Sequence, residues 1–218
     1  MTPNQAFEDQ MRARGLELLG PCELLSHCTE LMQESPLLRD FTPAEADLLG
    51  TRMLRVRAQP GQVLIAEGEV SEWMMILLVG TVDVDKRRVG AHADLPGDTT
   101  RLAVLREGAV IGEMSMLDGE PRSASCRALS VVECAVLNRA AVGNLVSSHP
   151  AVAAKLLVKL TQLLATRLRN ISSQLVKVLQ NGSRSASVPA REKASAAPGP
   201  SVRPPAPPGS GPSGGSSH

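Results

Sequence analysis

The sequence predicts an α+β fold in which a closed or sandwich-like β-structure lies between helices. Three patterns carry this prediction. Leucines at broken helical spacing fill the first 50 residues. Short alternating strands separated by turn residues follow, from about residue 52 to residue 137. A helical period then returns at Arg139 and holds to about Gln180. The 218 residues suffice for one domain of ordinary size and a tail. Apolar residues make up 43% of the chain but aromatics only 1%, so Leu, Val, Ile, Ala and Met must build the core.

In chain order, residues 1–37 read as an N-terminal helical segment in which Leu16, Leu18, Leu19, Leu24, Leu25, Leu31 and Met32 keep a helical period, interrupted at Gly20-Pro21. Thr42 then offers a cap, Pro43 suits a first turn, and Glu45 stands three residues after the cap, so a helix is predicted to start there. Leu54, Val56 and Ala58 alternate, and Pro60-Gly61 marks a turn. Strands are predicted at Val63–Ile65, Trp73–Val79, Val82–Val84, Leu102–Leu105, Val110–Ile111, Ser123–Ala128 and Val131–Leu137. With the strand at 54–58 that makes eight. Lys86 to Thr100 reads as a long exposed hairpin loop. A short helix from Arg139 is predicted to end near His149-Pro150, and a long one to run from Pro150 to a stop at Asn181-Gly182. Leu164, Leu168, Ile171, Leu175 and Val178 recur at steps of four and three, which is a heptad seam. It predicts pairing of the helix's second half with another copy. The domain divides as 38–182, followed by a Pro/Gly/Ser/Ala tail over 183–218 too poor in apolar residues to order itself.

Several function classes are disfavoured. A net charge of +1 gives no global field toward nucleic acid or anionic membrane. The start of the chain carries Glu8, Asp9 and Glu17 and has no apolar signal core, and the run Trp73–Val79 is too short to span a bilayer. A cytoplasmic location is expected. Cys22, Cys28, Cys126 and Cys134 are not at zinc-ribbon spacing and read as reduced packing thiols. No metal site is expected, because Cys22, His27 and Cys28 lack an evident fourth ligand. His27, His92, His149 and His218 lie apart, without a nucleophile or acid–base pattern, so no catalytic residues and no cofactor are assigned.

The informative segment is Gly112-Glu113-Met114-Ser115-Met116-Leu117-Asp118-Gly119-Glu120-Pro121-Arg122-Ser123-Ala124-Ser125. It joins two predicted strands and has room for one short helical turn. Gly112 permits a backbone geometry or close approach that a side chain would block. Arg122 is the nearby cation on the descending limb, and its planar fork matches two phosphate oxygens. Ser123 adds a hydroxyl, and Ser123 and Ala124 add backbone N–H donors. Singly, each residue type is common in loops; the ordered combination is what is specific.

This combination resembles the cyclic nucleotide-binding domain family, and within it the catabolite activator group. Pro60-Gly61, Glu67-Gly68-Glu69, the hairpin Met75–Val84 with Gly80 at its turn, and the short-then-long helix pair over 139–168 are similar to the family as well. The likeness covers roughly residues 38–180. It implies an eight-stranded, jelly-roll-like β-roll with N-terminal helices and a long C-terminal helix. It implies that Arg122 pairs with the cyclic phosphate and Glu113 accepts the ribose 2′-hydroxyl. Gly112, Met114, Ser115, Ser123 and Ala124 would add contacts around the sugar-phosphate, and Asn170 and Ser172 of the long helix would meet the base. Ile171 stands where the family pattern has a hydroxyl side chain, so cyclic AMP is the first expectation and cyclic GMP or cyclic di-GMP stay open. The resemblance also implies a non-enzymatic regulator whose long helix shifts on ligand binding. A homodimer through that helix and a separate downstream protein are the expected partners. Direct DNA binding is not expected, since a low-complexity stretch follows the long helix where the catabolite activator group has a helix-turn-helix. The rival readings are a ligand-free interaction module of the same fold and an adaptor for another cyclic nucleotide that acts through a transcription regulator.

Overall fold

The computed structural model describes residues 3–88 and 99–185. Most of the predicted hairpin loop and of the tail lies outside the described residues. The chain forms α1 (Pro3–Ala13), β1 (Glu17–Pro21), a 3-10 turn (Leu25–His27), α2 (Thr29–Glu34) and α3 (Pro43–Gly50). There follow β2 (Leu54–Ala58), β3 (Val63–Ile65), β4 (Trp73–Val79), β5 (Val82–Arg87), β6 (Thr99–Leu105) and β7 (Val110–Ile111). The series ends with α4 (Glu113–Asp118), β8 (Ser125–Ala128), β9 (Val132–Asn138), α5 (Arg139–Ser148) and α6 (Pro150–Ser185).

The strands form two antiparallel sheets, ordered β1-β2-β9-β4-β7 and β3-β8-β5-β6. β4 and β9 read as nearly continuous apolar runs because both of their faces are buried. Met74 and Ile76 of β4, with Ala135 and Leu137 of β9, face a helical core that includes Leu37, Leu38, Leu49, Leu145 and Leu156. The alternate residues Trp73, Met75 and Leu77, with Val132, Cys134 and Val136, face the interior of the roll. This β-roll with flanking helices matches the predicted fold class.

α3 starts where the sequence places it. Thr42 Oγ1 accepts from the Glu45 N–H at 3.3 Å, and Glu45 Oε2 accepts from the Thr42 N–H at 2.8 Å. The same Oε2 accepts from Lys155 Nζ at 2.6 Å, which ties α3 to α6.

Two expectations are corrected. Residues 17–21 are not helical: they form a ninth strand, paired antiparallel to β2. Gly15, with φ of +75°, ends the helical path before the segment, and Gly20, with φ of +93°, stands at the register shift within the strand. Leucine spacing alone could not show a strand fixed by its partner. The second correction concerns the helix stop at Asn181-Gly182, since α6 runs on to Ser185. A single glycine costs a helix only about 1 kcal/mol relative to alanine.

The described residues divide into two units, one ending at Ser173 and one beginning at Gln174. In the first, α6 buries Val152, Ala153, Leu156 and Leu160, then turns Leu168 and Ile171 outward. In the second, the described part of α6 exposes Leu175, Val176 and Leu179. No described helix is long and apolar enough to cross a membrane.

Candidate functional site

β7 delivers the chain to Gly112, which caps α4 with φ +76°, and α4 closes at Gly119 with φ +80°. Only the first of these glycines is also sterically required. A Cβ on Gly112 would lie 2.3 Å from Arg122 Nη1 and 3.0 Å from Ile65 Cδ1. Gly112 is therefore small because the arginine passes directly over it.

Arg122 is buried, with 3% of its surface exposed. Its Nε donates to Ser71 Oγ at 2.8 Å, Nη1 to Gly112 O at 2.5 Å, and Nη2 to Trp73 O at 2.5 Å. Its Cζ stacks 4.3 Å from the centre of the Trp73 ring. All three hydrogen-bond partners are neutral. Burial pulls its pKa down to about 10, so it remains a cation at neutral pH. A guanidinium has five N–H groups; three are used, and one remains on each terminal nitrogen. The result is a tightly held cation with two N–H groups not used by these bonds, the number that a pair of phosphate oxygens would take.

Glu113 opens α4 and is 1% exposed. Its Oε1 is paired with Nη1 of Arg167 on α6, and Arg167 Nη2 donates to Val110 O at 2.5 Å. The second carboxylate oxygen is left for another donor. At the other end of α4, Arg139 donates to Met116 O at 2.7 Å and Ser115 O at 3.2 Å, and pairs with Glu72 at 2.8 Å. Both ends of the short helix are thus held by arginines of α5 and α6. On the outer side, Arg14 pairs with both oxygens of Glu69 and stacks 5.1 Å from the centre of the Trp73 ring.

The structure brings together Gly112, Glu113 and Arg122 around one loop. Ser115 is buried in α4, Met114 is half-exposed, and Ser123 is exposed beside half-buried Ala124. Ser125 rather than Ser123 makes the loop's hydroxyl contact, accepting from the Glu67 N–H at 3.1 Å. Asn170 and Ser172 are not brought to the loop by any bond among the described residues. Both are exposed, and Ser172 Oγ donates to Leu168 O of its own helix at 2.9 Å. Sequence reasoning missed Arg167, Arg139, Ser71, Trp73 and Arg14. A buried Glu113 needs a cation, and that requirement could have pointed to an arginine on the covering helix.

Cys22, Cys126 and Cys134 are buried free thiols and Cys28 an exposed one. Burial pushes Cys22 up to about 11 and Cys126 up to about 12, which makes both inert at neutral pH. Among the described residues no three His, Cys, Asp or Glu side chains group as a metal site would require.

Comparison with known proteins returns the same region. Residues 55–149 match the family described as cyclic nucleotide-binding domain. The chain is 31% identical over 144 residues to the cyclic AMP receptor protein of Thermus thermophilus, covering 66% of this chain and 62% of that protein. It is 30% identical over 114 residues to the cAMP-dependent protein kinase regulatory subunit of Blastocladiella emersonii, covering 52% of this chain and 27% of the subunit. It thus spans less than two thirds of either curated relative. Among solved structures, a cyclic nucleotide-binding domain from Methylobacillus flagellatus is similar with a TM-score of 0.65 and 32% identity, covering 74% of this chain and 88% of that one. The catabolite activator protein of Thermus thermophilus gives a TM-score of 0.57 at 30% identity, over 66% of this chain and 63% of that one.

Proposed function

The chain belongs to the cyclic nucleotide-binding domain family, and from that premise we propose that it binds a cyclic mononucleotide, cyclic AMP first, at the Gly112–Ala124 loop. It acts as a regulator rather than a catalyst. The observation that carries this reading is Arg122: a buried cation bonded to neutral acceptors, with a donor left on each terminal nitrogen. Glu113 beside it has one oxygen left for a ribose hydroxyl.

Charge balance narrows the ligand class. Arg14 is paired with Glu69 and Arg167 with Glu113, which leaves the Arg122 guanidinium, bonded only to neutral acceptors, as the cation of this group without a carboxylate partner. One phosphodiester monoanion neutralises it. A cyclic dinucleotide would bring a second negative charge with no cation to meet it. The names of the curated relatives and the exposed seam of α6 further support a cyclic AMP-responsive homodimer that acts on a separate downstream protein. On this mechanism, ligand at Arg122 and Glu113 changes how α6 packs and so shifts the pairing or the docking of that partner.

Calorimetry with cyclic AMP, cyclic GMP and cyclic di-GMP tests the reading. The wild type should bind a mononucleotide, and Arg122→Ala should lose about 2–5 kcal/mol of affinity. Unchanged binding by Arg122→Ala would remove Arg122 from the site, and preference for the dinucleotide would refute the charge balance.

A further inference from the structure

Glu69 is the acid best placed to neutralise Arg122. The Arg122 N–H donates to Glu69 O at 2.8 Å, and the Gly68 N–H donates to Arg122 O at 2.8 Å, so the two segments lie side by side. Glu69 is also the largest favourable charge acting on the Arg122 guanidinium. A carboxylate in that position would ordinarily fold onto a buried cation, because an ion out of water is costly without a counter-ion. Here it does not. Arg14 takes both Glu69 oxygens in a fork, Nη1 to Oε2 at 2.8 Å and Nη2 to Oε1. The side chains of Arg14 and Glu69 are 19% and 22% exposed, so the pair is well shielded.

Arg14 is itself anchored. It follows α1, whose Phe7 and Met11 are buried in the same core as Trp73. The next residue, Gly15, accepts from Gln62 Nε2 at 2.9 Å. Trp73 carries Arg14 and Arg122 at 5.1 and 4.3 Å from its ring centre. Its indole N–H and Arg14 Nε are both buried without a partner. The cluster is thus rich in donors and short of acceptors, and Glu69, the carboxylate that acts on Arg122 most strongly, is committed to Arg14.

We propose that Arg14 is a positioning residue of the ligand site, which holds Glu69 away from Arg122 and so keeps that guanidinium free for the cyclic phosphate. This rests on the reading of Arg122 as the phosphate residue. It makes the N-terminal segment part of the binding unit, although the family match begins at residue 55. Without Arg14, Glu69 turns to Arg122, and an incoming phosphate must displace a carboxylate.

The test is calorimetric titration of cyclic AMP and cyclic GMP into the full chain. Arg14→Ala should bind about tenfold more weakly than wild type, and Arg14→Ala/Glu69→Gln should recover to within about threefold. Glu69→Gln alone should stay near wild type. Arg14→Lys keeps the charge without the fork and should fall between. A merely structural arginine would not be rescued by neutralising Glu69. A double variant as weak as Arg14→Ala, or an Arg14→Ala that binds like wild type, overturns the proposal while the wild-type titration leaves Arg122 in place. A wild type that binds neither nucleotide refutes the reading of Arg122 and this proposal with it. Emission from Trp73, the one tryptophan, reports whether each variant keeps its N-terminal segment packed. Should Arg14→Ala unfold, Arg14→Lys against Arg14→Lys/Glu69→Gln carries the same comparison.

Discussion

Replacing Gly112 by alanine strikes the loop at its tightest point. The residue has φ +76°, and left-handed backbone costs an L side chain about 1–2 kcal/mol. The new Cβ would lie 2.3 Å from Arg122 Nη1, 3.1 Å from its Cζ and 3.0 Å from Ile65 Cδ1. Carbon contacts are comfortable at about 3.5–4 Å, so the guanidinium must recede by about 1 Å. It cannot recede freely, because Ser71, Gly112 and Trp73 all hold it. Overpacking of this kind adds about 1–3 kcal/mol, for a total loss of about 2–5 kcal/mol. Gly61 is the control: its φ is +85°, but nothing lies within 4 Å of a Cβ there. Gly61→Ala should lose only the backbone portion, about 1–2 kcal/mol, and leave ligand binding alone. Urea unfolding followed by Trp73 emission measures the stabilities, and calorimetry with cyclic AMP the affinities. Gly112→Ala should bind at least about tenfold more weakly, about 1.4 kcal/mol. Equal stability losses in the two variants, or wild-type affinity in Gly112→Ala, would refute the claim that this glycine sets the arginine.

Three further outcomes are expected. Arg167→Ala leaves Glu113 buried without its cation; because the lost arginine is 38% exposed, the loss should be about 1–3 kcal/mol in urea unfolding, below that of a fully buried pair. Burial raises the Glu133 carboxyl, but hydrogen bonds from Arg55 and Arg57 outweigh this and hold it below its ordinary value of 4.5. Its stabilisation is therefore present above pH 4.5 and lost as pH falls through its folded value, and Glu133→Gln should flatten the acid limb of stability against pH. The exposed seam of α6 predicts that Ile171→Glu with Leu175→Glu converts dimer to monomer in light scattering; a wild-type monomer at every concentration would remove the pairing claim.

The roll was legible because its chemistry is local. Pro60-Gly61, the alternation at Leu54–Ala58 and the apolar run at Trp73–Val79 each announce themselves within a few residues. The capping box at Thr42 and Glu45 did the same for α3. β1 was not legible, since Leu18 and Leu19 suit a helix as well as a strand, and pairing with β2 decides between them. Within the candidate site, Gly112, Glu113 and Arg122 could be grouped from the sequence because one short segment contains all three. Arg167 is 54 residues from Glu113 and Arg14 is 55 from Glu69, and no spacing rule reaches across such distances. Burial of a charge is a property of the folded chain, and only after it is known does the question of its counter-ion arise.

The arrangement of the arginines also explains how ligand at one loop could move a helix. α4 is only six residues long, so it has little rigidity of its own and takes its position from what grips it. Arg167 of α6 holds its first residue and Arg139 of α5 holds its last turn. Arg139 is also fixed through its backbone N–H, which donates to Glu72 O at 2.9 Å, two residues before Met74 enters the helical core. Any displacement of α4 toward a phosphate on Arg122 must therefore be followed by α5 and α6 or must break these bonds. Driving a two-state element from 1:99 to 99:1 needs about 5.5 kcal/mol of differential binding. Two or three charge-assisted hydrogen bonds, each about 1.5–3 kcal/mol, reach that range if they form in only one state. On the proposed function, a phosphate on the two remaining donors of Arg122 and a ribose hydroxyl on Glu113 would supply that number. The same Glu113 is where α6 attaches, so on the proposed mechanism sugar recognition and helix position act on one carboxylate.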